Sequence, residues 1–353
     1  MPKTYQLAIL GAGKWGTTLA LIYGKLALQS AYLNKVSLWV RPESKYHKTS
    51  LCTYLQKQRV NLARFPEYPD VRIPANVSIS SDLSETLANA EIVISTIPSK
   101  YLASYLPLFK KHLTKKKFYC FVNASKGVID DQPISYYFAQ NLPDCAYATI
   151  SGPNIASQIY HNFREDSLHS EHLINPAFTT LAYDHFKNPD LLSILNAKPY
   201  LRMYRHHDIA AIEYCGILKQ VYAMALGVCM GLGLPANTIA GLFHKCGEEI
   251  TRILAFYKLP TNVYYQTLAG VADLEVTYKY GRNGKLGYLI ATEGMSKATD
   301  FMSGECVEGL RVLRSIYHKT KDTNLHLPIL QETYKVVYEH KPVLRAAQDL
   351  VNS

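Results

Sequence analysis

The opening of the chain constrains its fold more than any other segment. Residues 6–10 read Gln-Leu-Ala-Ile-Leu, an apolar run suited to a strand buried on both faces of a parallel sheet. Gly11-Ala12-Gly13-Lys14-Trp15-Gly16 follows, and then Thr17-Thr18-Leu19-Ala20-Leu21-Ile22-Tyr23, which reads as helix. Gly11 permits the tight turn, Gly13 lets a pyrophosphate approach the backbone, and Gly16 lets the helix pack closely on the strand. The free N–H groups at the helix start then face the phosphates. A glycine pattern alone is weak evidence; its place between a strand and a helix makes it a dinucleotide-binding turn.

A chain of 353 residues is long for a single core, so two domains are expected. The first residues, Met-Pro-Lys-Thr-Tyr, lead directly into the first strand, which leaves no room for a signal peptide. The longest uncharged run, residues 220–243, has an apolar core at 221–234 that is too short to span a bilayer. Gly227, Gly231 and Gly233 also interrupt it. It reads as a buried helix, and no stable membrane insertion is expected. Seven cysteines, at 52, 120, 145, 215, 229, 246 and 306, include no Cys-x-x-Cys pair. They suit reduced core thiols of a cytoplasmic protein and argue against bound metal. The net charge of +10 suits anionic partners. The densest basic cluster, residues 110–117, follows a helix and has no interleaved aromatics. It reads as a solvated helix C-terminus favoured by the macrodipole, not as a nucleic-acid patch. The charge fits a small phosphorylated ligand equally well.

Strand and helix signals alternate through the first half. Strands are expected at 36–40, 92–97, 118–123 and 147–150, with helices near 44–58, 99–112 and 132–140. This pattern implies βαβ crossovers and a doubly wound parallel sheet of the Rossmann type. Residues 178–183 and 200–204 offer further strands, and 161–176 read as an exposed excursion. From Asp208, a plausible N-cap, long helical patterns replace the strand signals. We therefore expect a dinucleotide-binding domain at 1–204 and a mainly α-helical substrate and catalytic domain at 205–353. His206 and His207 lack a third ligand at useful spacing and read as a boundary loop.

Ligands of an open parallel sheet bind at the carboxyl ends of its strands. Three small-residue turns lie there: Ile97-Pro98-Ser99, Asn123-Ala124-Ser125-Lys126-Gly127 and Ser151-Gly152-Pro153-Asn154. Lys126 is thus a cation aimed at the ligand gap; the alternative is a surface lysine in a turn. Lys219 sits in a helical stretch that is apolar on nearly every face, where desolvation depresses its pKa and suits it to proton transfer. The alternative is a lysine that snorkels outward. Asp273 also lies in an apolar stretch, with Lys219 its natural partner and Thr277 four residues on along the same helical face. Arg282 offers a fork of donors that matches a phosphate, and Asn283 adds an amide.

The ordered set of motifs resembles the NAD(P)-dependent glycerol-3-phosphate dehydrogenase family over nearly the whole chain. It comprises Gly-Ala-Gly-Lys-Trp-Gly at 11–16, Ile-Pro-Ser at 97–99, Ala-Ser-Lys-Gly at 124–127 and Ser-Gly-Pro-Asn at 151–154. Ile-Leu-Lys-Gln-Val at 217–221, Gly-Val-Ala-Asp-Leu at 270–274, Gly-Arg-Asn at 281–283 and Val-Glu-Gly at 307–309 complete it. The resemblance implies interconversion of dihydroxyacetone phosphate and sn-glycerol 3-phosphate with NADP or NAD, supplying glycerol 3-phosphate for phospholipid synthesis. It implies Lys219 as the catalytic lysine, with Lys126 and Asp273 holding the substrate and ordering the site. Substrate contacts are also implied for Gly152, Asn154, Thr277, Gly281, Arg282 and Asn283. Cofactor contacts are implied for Gly11, Gly13, Lys14, Trp15, Gly16, Arg41, Lys126, Ala156, Arg282 and Glu308. A cytoplasmic homodimer is usual. The chain departs from the family at Gln220, where asparagine is usual, and residues 161–175 are unlike the usual pattern.

The implied chemistry is hydride delivery to the substrate C2 while Lys219 gives its proton to the oxygen. No carboxylate stands at the tip of the second strand; Arg41 follows it instead, which leans towards NADPH with dual use possible. The rivals are a hydroxyacid or ketopantoate-type reductase with a helical second domain, and a dinucleotide-sensing protein without turnover. The first has no need of an Arg-Asn phosphate anchor; the second has no need of Lys219.

Overall fold

The computed structural model describes residues 3–113, 118–164, 176–304 and 307–351. An eight-stranded sheet organises the first part. Its strands are β1 (Tyr5–Leu10), β2 (Leu33–Trp39), β5 (Val77–Ser80), β6 (Ile92–Ser95), β7 (Cys120–Asn123), β10 (Tyr147–Ser151), β11 (Ala177–Tyr183) and β12 (Leu201–His206). Two short hairpins, β3–β4 (Lys45–Tyr46, Thr49–Ser50) and β8–β9 (Val128–Ile129, Gln132–Pro133), complete the strand set. The sheet order is β12-β11-β10-β7-β6-β1-β2-β5. Chain order reverses beside β1, which is the crevice where open α/β sheets bind ligands. All pairings are parallel except β10 with β11. The sheet is thus doubly wound and mostly parallel, with one antiparallel junction. The strands read as continuous apolar runs because helices cover both faces; Leu7, Ile9, Val36, Leu38, Ile92 and Ile94 are all buried.

Several boundaries differ from expectation. The segment expected as helix near 44–58 begins with the β3–β4 hairpin, and helix runs only over Leu51–Gln58. Strand β5 is two-sided and short, and its Val-Ser-Ile-Ser sequence gives too weak an apolar run to mark it. Strand β12 extends to His206, past the boundary expected at 204. Most of the excursion at 161–176, the Lys115–Lys117 part of the basic cluster, and Cys306 lie outside the described residues.

After β12 the chain is helical. Asp208 caps the helix Ile209–Gly231, its carboxylate accepting from the Ala211 N–H at 2.8 Å. This 23-residue helix is long and apolar enough to cross a membrane by composition, yet nearly all of it is buried within the protein. It is the axis of the second core, with Ile212, Ile217, Leu218, Val221, Tyr222 and Leu226 at or near zero exposure. Burying each large aliphatic side chain contributes roughly 2 kcal/mol. Helices Asp273–Tyr280 and Arg282–Thr292 pack on it. The approach to the second is close enough that a Cβ on Gly227 would run into the Gly284 carbonyl. Gly227→Ala is therefore expected to destabilise the protein by roughly 1–3 kcal/mol, and a thermal melt within error of wild type would contradict this packing.

Candidate active site

The turn after β1 is built as its glycines require. Gly11 has φ +107°, outside the range that side chains favour, and a Cβ there would lie 2.9 Å from Thr96 Oγ1. A Cβ on Gly16 would strike the Gly11 carbonyl. Around Gly13 there is open space, and Gly13 is the N-cap of the helix Lys14–Ala27 without any side chain capping it. An exposed turn with uncapped helix N–H groups fits a dinucleotide pyrophosphate. Two residues that the glycine motif does not contain brace it. Asn61 Nδ2 donates to Ala12 O at 3.2 Å and Thr17 Oγ1 at 2.8 Å, and Thr96 Oγ1 donates to Leu10 O at 3.0 Å. Asn61 follows no local motif, so the sequence carries no signal for it.

At the far side of the crevice three charged side chains meet. The carboxylate of Asp273, 1% exposed, accepts from Lys219 Nζ on Oδ1 and from Lys126 Nζ on Oδ2 at 2.6 Å. Lys219 also donates to Thr277 Oγ1 at 2.5 Å, and Lys126 to Gly152 O at 3.1 Å. Ser151 Oγ lies 3.4 Å from Asp273 Oδ2. Lys219 is 4% exposed and does not snorkel to the surface. Burial holds its pKa down to about 7; Asp273 opposes the shift and Lys126 adds to it. Asp273 binds two lysines, one more than the single partner expected.

Local structure explains the placement of Asp273. A Cβ on Gly270 would run into the Tyr264 carbonyl, and the chain there forms a one-turn π-helix, Leu268–Ala272, with a kink at Gly270. The helix Asp273–Tyr280 starts after that kink, so Asp273 occupies its first turn, where the macrodipole favours a carboxylate. This helix stops at Gly281, where a Cβ would lie 2.5 Å from Thr277 O. Gly281 is in turn the N-cap of the helix Arg282–Thr292, which carries no side-chain cap. The N–H groups of its first turn stand beside exposed Arg282 and buried Asn283.

The other expected site residues fall into two groups. Glu308 joins the lysine side: its Oε1 accepts from Ser99 N and Ser99 Oγ, both at 2.8 Å, and a Cβ on Gly127 would meet it at 2.9 Å. Burial raises the Glu308 pKa, with the Ser99 hydrogen bonds opposing. Asn154 and Gly152 stand beside β11, where Asn154 Nδ2 donates to Thr179 Oγ1 at 2.9 Å and a Cβ on Gly152 would crowd Thr179. Lys14 and Trp15 open the helix after the glycine turn, Ala156 touches that helix, and Arg41 follows β2, the neighbour of β1. Lys14 Nζ is 5.9 Å from the Phe65 ring centroid, Trp15 packs on the sheet core, and Ala156 O accepts from Thr18 Oγ1 at 3.3 Å. Arg41 is half exposed, lies 5.8 Å from the Tyr101 ring and pairs with Glu43 at 3.6 Å. Glu43 is a carboxylate near the strand tip that the sequence reading passed over.

Gln220 uses its extra methylene to bridge the two parts of the chain. Its Nε2 donates to Lys126 O, and its Oε1 accepts from Asn283 Nδ2 at 3.3 Å. Both ends of its amide are thus hydrogen-bonded within the protein.

A parallel-sheet domain with a glycine turn, joined to a helical domain that presents a buried lysine, defines a two-domain nicotinamide-dinucleotide dehydrogenase. The family follows from sequence comparison. Residues 6–164 match the model "NAD-dependent glycerol-3-phosphate dehydrogenase N-terminus", and residues 208–348 match the corresponding C-terminus. A relative named glycerol-3-phosphate dehydrogenase (NAD(P)+) from Syntrophomonas wolfei is 29% identical, covering 99% of this chain and 95% of its own length. The crystal structure of glycerol-3-phosphate dehydrogenase from Coxiella burnetii superposes with a TM-score of 0.84 at 24% identity, covering 99% of both chains. A 2-dehydropantoate 2-reductase from Methylococcus capsulatus shares the fold more distantly, with a TM-score of 0.54 at 16% identity and 97% of both chains covered. The chain belongs to the NAD(P)-dependent glycerol-3-phosphate dehydrogenase family, and it is an oxidoreductase that uses NAD or NADP.

Among the described residues Asp273 is the one carboxylate that pairs with Lys219, so Asp273→Asn should drive that lysine's pKa lower still. A lysine whose folded pKa lies below its unfolded value stabilises less as pH falls between the two. The variant is therefore expected to lose roughly 3 kcal/mol at pH 6 and less at pH 9. Melting curves at the two pH values check this; an equal loss at both would contradict it.

Proposed function

We propose that Lys219 is the general acid in reduction of dihydroxyacetone phosphate to sn-glycerol 3-phosphate, and the general base in the reverse reaction. The observation that carries this is the buried Lys219–Asp273–Lys126 arrangement, adjacent in the chain fold to the uncapped helix start at Gly281–Arg282. When bound, the nicotinamide supplies or accepts the hydride at C2. Every other task falls to the chain. Lys219 Nζ gives its proton to the C2 oxygen, and Thr277 Oγ1 and Asp273 hold the ammonium in one orientation. Lys126 holds the substrate against the crevice and shares the Asp273 charge. Arg282, Asn283 and the N–H groups after Gly281 take the phosphate, since a helix start and a guanidinium fork both suit that anion. Gly152, Asn154 and Thr277 complete the substrate wall. Gly11, Gly13, Lys14, Trp15, Gly16, Arg41, Ala156, Arg282 and Glu308 line the cofactor's path, with Lys126 between cofactor and substrate.

Two cations and one carboxylate leave the cluster with a net positive charge. That favours a phosphorylated substrate and the oxyanion that develops at C2. Arg282 and Asn283 at the uncapped helix start, not the net charge, argue against the ketopantoate-type alternative, whose substrate carries no phosphate. Arg41 leans the cofactor choice towards NADPH, while its pairing with Glu43 leaves room for NADH. The domains divide at 1–204 and 205–353 in this reading. The protein acts as a cytoplasmic homodimer; six buried cysteines without a disulfide among the described residues suit a reducing compartment.

Lys219→Ala is expected to lower kcat for ketone reduction roughly 100-fold or more, with reduced cofactor still binding by fluorescence titration. Near-normal turnover would refute the role. Because the ammonium form is the acid, wild-type kcat/KM for reduction should fall as pH rises through about 7. Reduction that stays level up to pH 9 would point to a different donor. Loss of absorbance at the reduced-nicotinamide band, measured with each cofactor and dihydroxyacetone phosphate, ranks NADPH against NADH.

A further inference from the structure

We propose that Glu213 is a positioning residue for this reaction, acting through Asn123 on the turn that carries Lys126; this rests on the assignment of Lys126 to the substrate site. Glu213 is 6% exposed and stands on the same helix as Lys219. Its carboxylate meets neutral donors only. Oε1 accepts from Asn123 Nδ2 at 3.1 Å and from Tyr147 OH, and Oε2 accepts from Ser135 N at 2.9 Å. No lysine or arginine pairs with it among the described residues. Docking an apolar helix against a sheet needs no buried carboxylate, and burying one is costly. The group earns its place by what it orients.

A carboxylate can only accept, so it forces the NH2 end of the Asn123 amide towards itself. The carbonyl end must then face the other way. There, Asn123 Oδ1 accepts from Ser125 N at 3.1 Å and Ser125 Oγ at 2.8 Å, while Nδ2 also reaches Ser125 O at 3.1 Å. The amide thus closes the turn around Ser125, and the next residue is Lys126. The same helix face supports this turn at two further points. A Cβ on Gly216 would sit 2.7 Å from Ser151 Oγ and 3.7 Å from Lys126 Cγ, and Gln220 holds Lys126 O. Residues 213, 216 and 220 are spaced three and four apart, so they form one stripe. That stripe is a template against which the Lys126 turn is moulded. A shift of the turn by a fraction of its width would misplace the ammonium that shares Asp273.

The test is a double-mutant cycle of Glu213→Gln with Lys126→Ala, read by steady-state kinetics, cofactor titration and thermal melting on the full chain. Glu213→Gln alone is expected to lower kcat/KM for dihydroxyacetone phosphate roughly tenfold or more, with cofactor affinity changed no further than Lys126→Ala changes it. In the Lys126→Ala background the same substitution should add almost no further loss, whereas its effect on melting should persist. A full additional loss in that background, or an unchanged kcat/KM in the single variant, would overturn the proposal. If Lys126→Ala alone retained wild-type kcat/KM, the site assignment would fall and this proposal with it. Should Glu213→Gln not fold, Asn123→Ala leaves Glu213 two donors and replaces it in the cycle, with the same results expected and the same results overturning the proposal.

Discussion

The carboxylate of Asp273, shared between one ammonium from each half of the chain, is the interaction on which the rest of the site depends. Lys126 comes from the turn after β7 and Lys219 from the helix Ile209–Gly231, so this one group ties the sheet to the helices. Buried Lys219 could not be held charged in so dry a place without it, since an unpaired charge there costs several kcal/mol. With it, the desolvation that would otherwise expel Lys219 becomes the means of lowering its pKa towards neutrality. Structure and acid–base function rest on the same three side chains.

The long apolar helix makes that arrangement rigid. From it Glu213, Gly216 and Gln220 face the turn that carries Lys126, and Lys219 reaches Asp273. Close packing at Gly227 brings the Arg282–Thr292 helix beside it, which sets the anion-binding helix start relative to the lysine. The backbone kink at Gly270 does the remaining work by starting a helix at Asp273.

Much of this was legible in the sequence because it is local. The glycine turn, the N-cap at Asp208 and the apolar surroundings of Lys219 and Asp273 all follow from neighbours within one or two helical turns. The β3–β4 hairpin and β5 were not, because short strands with alternating polar residues lack a strong period. Long-range contacts were also hidden. Asn61 bracing the glycine turn, Ser99 holding Glu308, and Lys126 joining Lys219 on one carboxylate each bring together residues far apart in the chain. Gln220 shows the limit most plainly. Its departure from asparagine was visible at once, but only the fold reveals that the longer side chain spans from Asn283 to the Lys126 carbonyl.

Acid–base chemistry at this site requires that buried, carboxylate-paired Lys219 titrate close to neutrality. Its most direct test is an NMR titration of the Lys219 side-chain nitrogen in protein carrying 15N-labelled lysine, with the signal assigned by its loss in a Lys219 variant. A midpoint near 7 is expected, far below that of surface lysines in the same spectra. A midpoint alongside those surface lysines, near about 10.4, would contradict it.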